Sequence, residues 1–173
     1  IKHNFLYRNT GSLRFEDVSA QWGFDEPSVS HGVAYADFDQ DGDLDWVINN
    51  MNQEAYVFEN HTLEAGEPVA AHYLQVRLQG PAGNRQGLGA KLYLHFRDSS
   101  GRQLTQYHEH SLYRGYKSSV SPVIHFGLGE GPSLDSLRVI WPDGPSQLLT
   151  DLQADQVLNL AYSDAPGPAP APL

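Results

Sequence analysis

The spacing of apolar residues is the feature that most limits how this chain can fold. Apolar side chains stand at every second position in three stretches, residues 73–79, 90–96 and 137–141. Shorter strand-like runs, separated by turn residues, lie at 44–48, 55–58, 102–108, 120–126 and 157–162. A period of two is typical of β-strands, whose successive side chains point to opposite faces of a sheet. The best helical candidate is a single turn near Val18–Trp22, so the sequence predicts an all-β protein.

A run of acidic residues between two of these strands carries the strongest chemical signal. Five carboxylates lie within nine positions, at Asp37, Asp39, Asp41, Asp43 and Asp45. Alternate acids converge when such a loop curls, and the glycine at position 42 permits the positive φ that curling needs. Converging carboxylates repel one another unless a cation lies between them. An all-oxygen, flexible cage suits Ca²⁺ better than Mg²⁺, so the loop predicts a calcium site.

The ligand roles follow from this spacing. We expect side-chain ligation by Asp37, Asp39, Asp41 and Asp45, with Asp43 giving its backbone carbonyl. The first six positions are similar to an EF-hand, but position 12 is Ile48 and the flanking segments are predicted strands rather than helices. The alternative is an acidic, solvated hairpin tip that binds no metal.

The chain resembles two known families. The pattern Asp-x-Asp-x-Asp-Gly-x-x-Asp between strands resembles the calcium loop of FG-GAP/VCBS-type repeats, as in integrin α-subunit propellers. Matching residues in the same region are Tyr7-Arg8-Asn9, Phe15-Glu16-Asp17-Val18, Gly23 and Gly32-Val33-Ala34. The second region resembles the ASPIC/UnbV domain at Gly87-Leu-Gly89-Ala90, His125-Phe-Gly-Leu-Gly129 and the run from Asp135 through Trp141-Pro142-Asp143-Gly144.

The resemblance implies a domain organisation. It predicts one propeller-blade-like repeat at 1–66 and a β-sandwich-like ASPIC/UnbV domain at 67–162, with a linker over Leu63–Ala71. The Pro/Ala-rich end, 163–173, is expected to be an extended tail. Within the repeat, Phe5–Thr10 is echoed by Ala55–Asn60. One blade cannot close a propeller, so it is expected to belong to a longer protein, pack on its own second domain, or be completed by another chain.

Charge and composition limit the kinds of partner that the chain can bind. The chain has 11 Lys and Arg against 21 Asp and Glu, a net charge of −10 that excludes nucleic acid and anionic membrane surfaces as partners. It has no cysteine for disulfides or thiol catalysis. It also has no apolar stretch near the roughly 20 residues of a membrane helix. Because it starts at Ile1 without an apolar leader, it is expected to be a processed or excised piece.

The resemblance, to the cartilage acidic protein group in particular, also implies a function. Calcium is structural in that family, and the ASPIC/UnbV domain has no established activity. We therefore expect a non-enzymatic, extracellular or cell-surface module with a structural or adhesive role. Its expected partners are a protein, a glycan, or further copies of itself assembled head to tail.

The sequence also allows two other functions. His108 and His110 share one face of a predicted strand and could bind Zn²⁺ or Cu²⁺ in a metal-dependent enzyme, with His95 as a third ligand. The alternative there is a pair of exposed strand histidines. A carbohydrate-binding module is suggested by the tyrosines at 107, 113 and 116. Asn60 fits the glycosylation sequon, although a structural role is equally expected.

Overall fold

The computed structural model describes residues 2–63, 71–165 and 167, and the all-β prediction is confirmed. The strands are β1 (Lys2–His3), β2 (Tyr7–Gly11), β3 (Arg14–Asp17), β4 (Pro27–Ser28), β5 (Ser30–Ala36), β6 (Asp45–Asn50), β7 (Tyr56–Phe58), β8 (His72–Gln79), β9 (Lys91–Arg97), β10 (Gln103–Glu109), β11 (Ile124–Gly129), β12 (Ser133–Ile140), β13 (Ser146–Leu149) and β14 (Gln156–Ala161). A single 3₁₀ turn, Tyr162–Asp164, follows the last strand. No helix long and apolar enough to cross a membrane occurs among these residues.

The predicted linker and tail fall largely on undescribed positions. Residues 64–70, 166 and 168–173 lie outside the described part of the chain, so the boundary at 66/67 stays a prediction. The first tail residues are not extended as expected, because they belong to the 3₁₀ turn. Gly167 then accepts a hydrogen bond from the Ser146 backbone N–H at 2.8 Å, which holds the start of the tail beside β13.

The second region is a sandwich of two sheets. One sheet has the strand order β10-β9-β12-β13 and the other the order β11-β8-β14. All neighbours pair antiparallel except β14, which runs parallel to β8. The inward side chains form one apolar core, made of Leu74, Val76, Ala90, Leu92, Leu94, Phe96, Ile124, Phe126, Leu128, Leu137, Val139, Trp141 and Leu160. The period of two read from the sequence is what supplies this core.

The first region, by contrast, has little core of its own. It contains the hairpin β2–β3, the short pair β1–β4 and a three-stranded antiparallel sheet ordered β5-β6-β7. Its aromatic cluster packs Phe24 against Phe58, with ring centroids 4.3 Å apart, and against Trp46 at 6.1 Å. None of these three rings is fully buried, and Val18 and Ile48 are the buried apolar residues of the described positions 2–63.

The two regions meet on the outer face of β8. In most sandwiches such a face is exposed, yet Gln75 is 4% exposed and Tyr73 is partly buried. The acidic loop covers them: a Cβ placed on Gly42 would overlap the Tyr73 ring. Two further contacts tie the regions together, from Arg114 Nε to Tyr35 Oη at 2.9 Å and from the Val33 N–H to Ser118 Oγ at 3.1 Å.

We predict that Gly42→Ala weakens this junction. Gly42 has φ +106° and no room for a Cβ, whereas Gly101 has φ +80° and open space around it. Gly101→Ala should therefore lower the free energy of unfolding only by about 1–2 kcal/mol, through left-handed backbone strain. Gly42→Ala should lower it clearly more. Urea unfolding measures both values. Equal losses in the two variants would contradict a tight contact between the loop and Tyr73.

Candidate metal centre

The acidic loop connects β5 to β6 and gathers part of the predicted ligand set. Carboxylate oxygens of Asp37, Asp39 and Asp45 lie within 4.8 Å of one another. They are the one such group of three His, Cys, Asp or Glu side chains found among the described residues. The structure therefore brings three of the five predicted aspartates together, and it leaves Asp41 and Asp43 outside that cluster.

Asp45 anchors the cluster. It is 2% exposed, and both of its carboxylate oxygens accept backbone hydrogen bonds. Oδ2 accepts from the Phe38 N–H at 2.8 Å, which closes the loop, and Oδ1 accepts from the Asn60 N–H at 2.9 Å, which ties in the segment after β7. Each oxygen keeps a second lone pair, so these bonds leave Asp45 able to ligate a cation.

Asp37 links the cluster to the sandwich. Its Oδ2 accepts a hydrogen bond from Gln75 Nε2 on β8 at 2.7 Å. Its Oδ1 is buried and has no hydrogen-bond partner. A buried carboxylate oxygen without a partner costs free energy, and a cation beside it would remove that cost. With Asp39 exposed and two carboxylates beside it, the donor set fits a hard, oxygen-preferring cation.

Asp41 and Asp43 shape the turn. Asp41 Oδ1 accepts from the Asp43 N–H at 3.0 Å, and Asp43 Oδ2 accepts from the Leu63 N–H at 3.1 Å. Burial raises the pKa of Asp43 to about 6, helped by the charges of Asp41 and Asp45 and opposed by the Leu63 hydrogen bond. The pKa of Asp41 is also raised, mainly by burial. Their ligand roles stay predictions.

His108 and His110 share one face, as predicted, but they are not exposed. His108 is partly buried and His110 is 3% exposed, so neither is the exposed strand histidine of the alternative interpretation. Their rings are 6.4 Å apart on the inner side of β10. The expectation that His95 completes a metal site is wrong. His95 faces the opposite side of the sheet, where its Nδ1 contacts Thr105 Oγ1 at 2.9 Å.

Two further residues, Gln75 and Asn60, support the loop. Gln75 gave no signal, since it occupies a nominally outward position of an alternating strand. Asn60 fits the sequon and was equally expected to have a structural role; its Oδ1 accepts from the Thr62 N–H at 3.1 Å and its Nδ2 donates to the Leu44 carbonyl at 3.4 Å. Asn9 makes the same turn, accepting from the Gly11 N–H at 2.9 Å. The internal echo was the signal for this structural role.

Comparisons with known proteins agree with this architecture. The family model described as "ASPIC and UnbV" matches residues 80–167, and the one described as "FG-GAP-like repeat" matches residues 2–48. Cartilage acidic protein 1 of Xenopus tropicalis is 32% identical over 136 residues, covering 76% of this chain and 19% of that protein. The same-named proteins of Mus musculus and Homo sapiens are each 46% identical over 50 residues, covering 28% of this chain and 8% of theirs.

The chain therefore spans at most about a fifth of the length of these curated relatives. The resemblance drawn from the sequence is confirmed by both family models, which match the acidic-loop region and the sandwich in turn. The chain belongs to the ASPIC and UnbV family, with an FG-GAP-like repeat preceding the family domain.

Proposed function

We propose that this chain is a calcium-stabilised, non-enzymatic structural or adhesion module of an extracellular protein. The observation that carries the proposal is the convergence of Asp37, Asp39 and Asp45 at a point where Gln75 of the sandwich holds one of them. A cation bound there would fix the repeat to the second region. The likeness to cartilage acidic protein 1 supports the extracellular setting.

Calcium is the cation that this donor set favours. Ca²⁺ accepts six to eight oxygen ligands in irregular arrangements, whereas Mg²⁺ requires near-ideal octahedral geometry. The three clustered carboxylates supply the charge, and the Asp43 carbonyl and Asp41 carboxylate are the proposed additional ligands. The role of the ion is to neutralise the loop and thereby stabilise the folded form through binding.

The proposed interaction surface is the hairpin β2–β3. Every residue of its two strands is exposed, and the ring of Tyr7 on β2 stacks with that of Phe5 just before the strand, with centroids 6.2 Å apart. An isolated two-stranded hairpin is marginally stable in water, so this one is expected to gain stability from a partner. We propose that the partner is a second copy of this chain, or an equivalent repeat, in head-to-tail assembly.

A glycan is the second candidate ligand. Tyr93 and Tyr107 lie with ring centroids 5.0 Å apart on the outer face of the sandwich, next to the hydrogen-bonding side chains of Thr105 and Glu109. Paired rings beside polar groups suit sugar stacking. Binding on a glycan array that is lost in Tyr107→Ala would favour this function. The metal-dependent enzyme has less support, because His95 lies away from His108 and His110.

We predict that calcium raises the melting temperature and that Asp39 is required for the full effect. At a hundredfold excess of Ca²⁺ over its Kd, the Tm should rise by about 5–10 °C for a chain of this size, and EDTA should reverse it. Asp39→Asn should remove most of the rise. Asp25→Asn, which alters an exposed aspartate outside the cluster, is the matched control. No calcium-dependent shift in the unmodified chain would refute the metal assignment.

Gln75 should act as a positioning residue for the metal. Gln75→Leu removes the hydrogen bond to Asp37, and loss of such supporting bonds typically weakens metal affinity about 10–100-fold. Gln147→Leu is the control, since Gln147 is an equally buried sandwich glutamine that donates to the Ala161 carbonyl instead. Calcium titration by calorimetry distinguishes them. The role of Gln75 is rejected when both variants bind calcium with the same affinity as the unmodified chain.

Self-assembly should depend on the hairpin face. Phe15 on β3 and Leu148 on β13 are 65% and 66% exposed, so a serine at either position removes a similar apolar surface. Light scattering at micromolar concentration should give a larger species for the unmodified chain and for Leu148→Ser, and a smaller one for Phe15→Ser. A monodisperse monomer in the presence of calcium would exclude assembly of this kind.

A further inference from the structure

A small cavity lies where the repeat meets the sandwich. Its volume is about 150 Å³, well above the roughly 10–15 Å³ that one water needs. Tyr35 and Leu44 line it from the repeat, and His108, Arg114 and His125 line it from the sandwich. His110 and the serines at 111 and 121 complete the polar wall. Neither family match nor the proposed calcium site accounts for this concentration of polar groups.

Arg114 brings an unpaired positive charge to the cavity. Its guanidinium makes three hydrogen bonds, with Nε donating to Tyr35 Oη at 2.9 Å, Nη1 to the Tyr113 carbonyl at 3.1 Å and Nη2 to His108 Nε2 at 3.4 Å. A guanidinium has five N–H donors, so two remain. None of the salt bridges found among the described residues pairs Arg114 with a carboxylate.

The histidines add hydrogen-bond acceptors. Burial, and then the charge of Arg114, lowers the pKa of His108 to about 4, so its imidazole is neutral at pH 7. Burial also lowers the pKa of His110, while a hydrogen bond to the Gln86 backbone opposes the shift. Nε2 of the buried His110 has no partner, and neither has Nδ1 of His125. With its other nitrogen bonded to the Gln86 backbone, neutral His110 offers an unused lone pair at Nε2.

We propose that this cavity binds a small oxyanion that retains a proton, such as hydrogen phosphate or bicarbonate. The charged oxygens accept hydrogen bonds from the free N–H groups of Arg114, and the ligand's hydroxyl donates a hydrogen bond to Nε2 of His110. Sulfate carries no proton at neutral pH, so it would place an acceptor against that lone pair. The site therefore selects protonated oxyanions over sulfate.

A transition metal fits the cavity less well. The His108 and His110 rings are 6.4 Å apart, and Arg114 places a positive charge beside His108. The ring nitrogens of His108, His110 and His125 do not all lie within 4.8 Å of one another. In the described part of the chain, only the aspartate cluster brings three possible ligand atoms that close together.

Calorimetry on the full chain, without added calcium and at constant ionic strength, tests the proposal. Separate titrations use inorganic phosphate, bicarbonate and sulfate at neutral pH. Phosphate, bicarbonate or both should bind, and sulfate should bind at least about tenfold more weakly, because sites built around a ligand hydroxyl reject analogues that lack it. The phosphate and bicarbonate arms show which protonated oxyanion the cavity takes.

Three variants locate the binding. Arg114→Gln should weaken anion affinity at least about tenfold by removing the charge. His110→Leu should abolish the preference over sulfate. Arg85→Gln, at an exposed arginine outside the cavity, should change nothing. Circular dichroism establishes that each variant is folded; if Arg114→Gln does not fold, Arg114→Lys, which keeps the charge but loses the planar fork of N–H donors, should still weaken anion affinity.

Several results would overturn the proposal. The first is equal affinity of the unmodified chain for phosphate and sulfate. The second is that no oxyanion binds, which would mean that the cavity holds only water. The third is that Arg114→Gln leaves the anion affinity unchanged. Stoichiometric Zn²⁺ binding that requires His108 and His110 would also overturn it, in favour of a metal site.

Discussion

Burial of negative charge where the repeat meets the sandwich is the constraint on which the rest of this structure depends. Asp43 and Asp45 are 5% and 2% exposed, and Asp37 adds a buried oxygen without a partner. Carboxylates are rarely placed so deeply unless backbone N–H groups, a polar neighbour or a cation compensates them. The loop uses the first two through Phe38, Asn60 and Gln75. The third is the proposed role of calcium.

The two regions depend on each other unequally. The sandwich encloses a continuous apolar core, whereas the repeat buries few apolar side chains and exposes every residue of its hairpin strands. The repeat contacts the sandwich through polar groups of Asp37, Val33 and Tyr35, and Gly42 packs against the Tyr73 ring. Such contacts give a fixed orientation but little hydrophobic stabilisation.

The sequence predicted strands well where one face alone is buried. The alternation over 90–96 and 137–141 corresponds to β9 and β12 within a few residues. It was less informative where the pattern breaks. Ser146–Leu149 forms β13 with its two polar residues buried, and the predicted strand at 120–126 begins only at Ile124, after a bend at Pro122. The candidate metal centre was predictable to the same extent. The motif located the aspartates, but Gln75 lies on an outward-facing position that only the docked repeat buries.

The position of β8 in its sheet has a consequence for how the chain is made. β8 is the central strand of the sheet β11-β8-β14, and its parallel partner is the last strand, with Gln156 opposite Leu74. The surface that receives the acidic loop is therefore complete only after β14 has been synthesised. Pairings between such distant segments form slowly. The repeat leaves the ribosome before the sandwich, yet it docks only after the sandwich is complete.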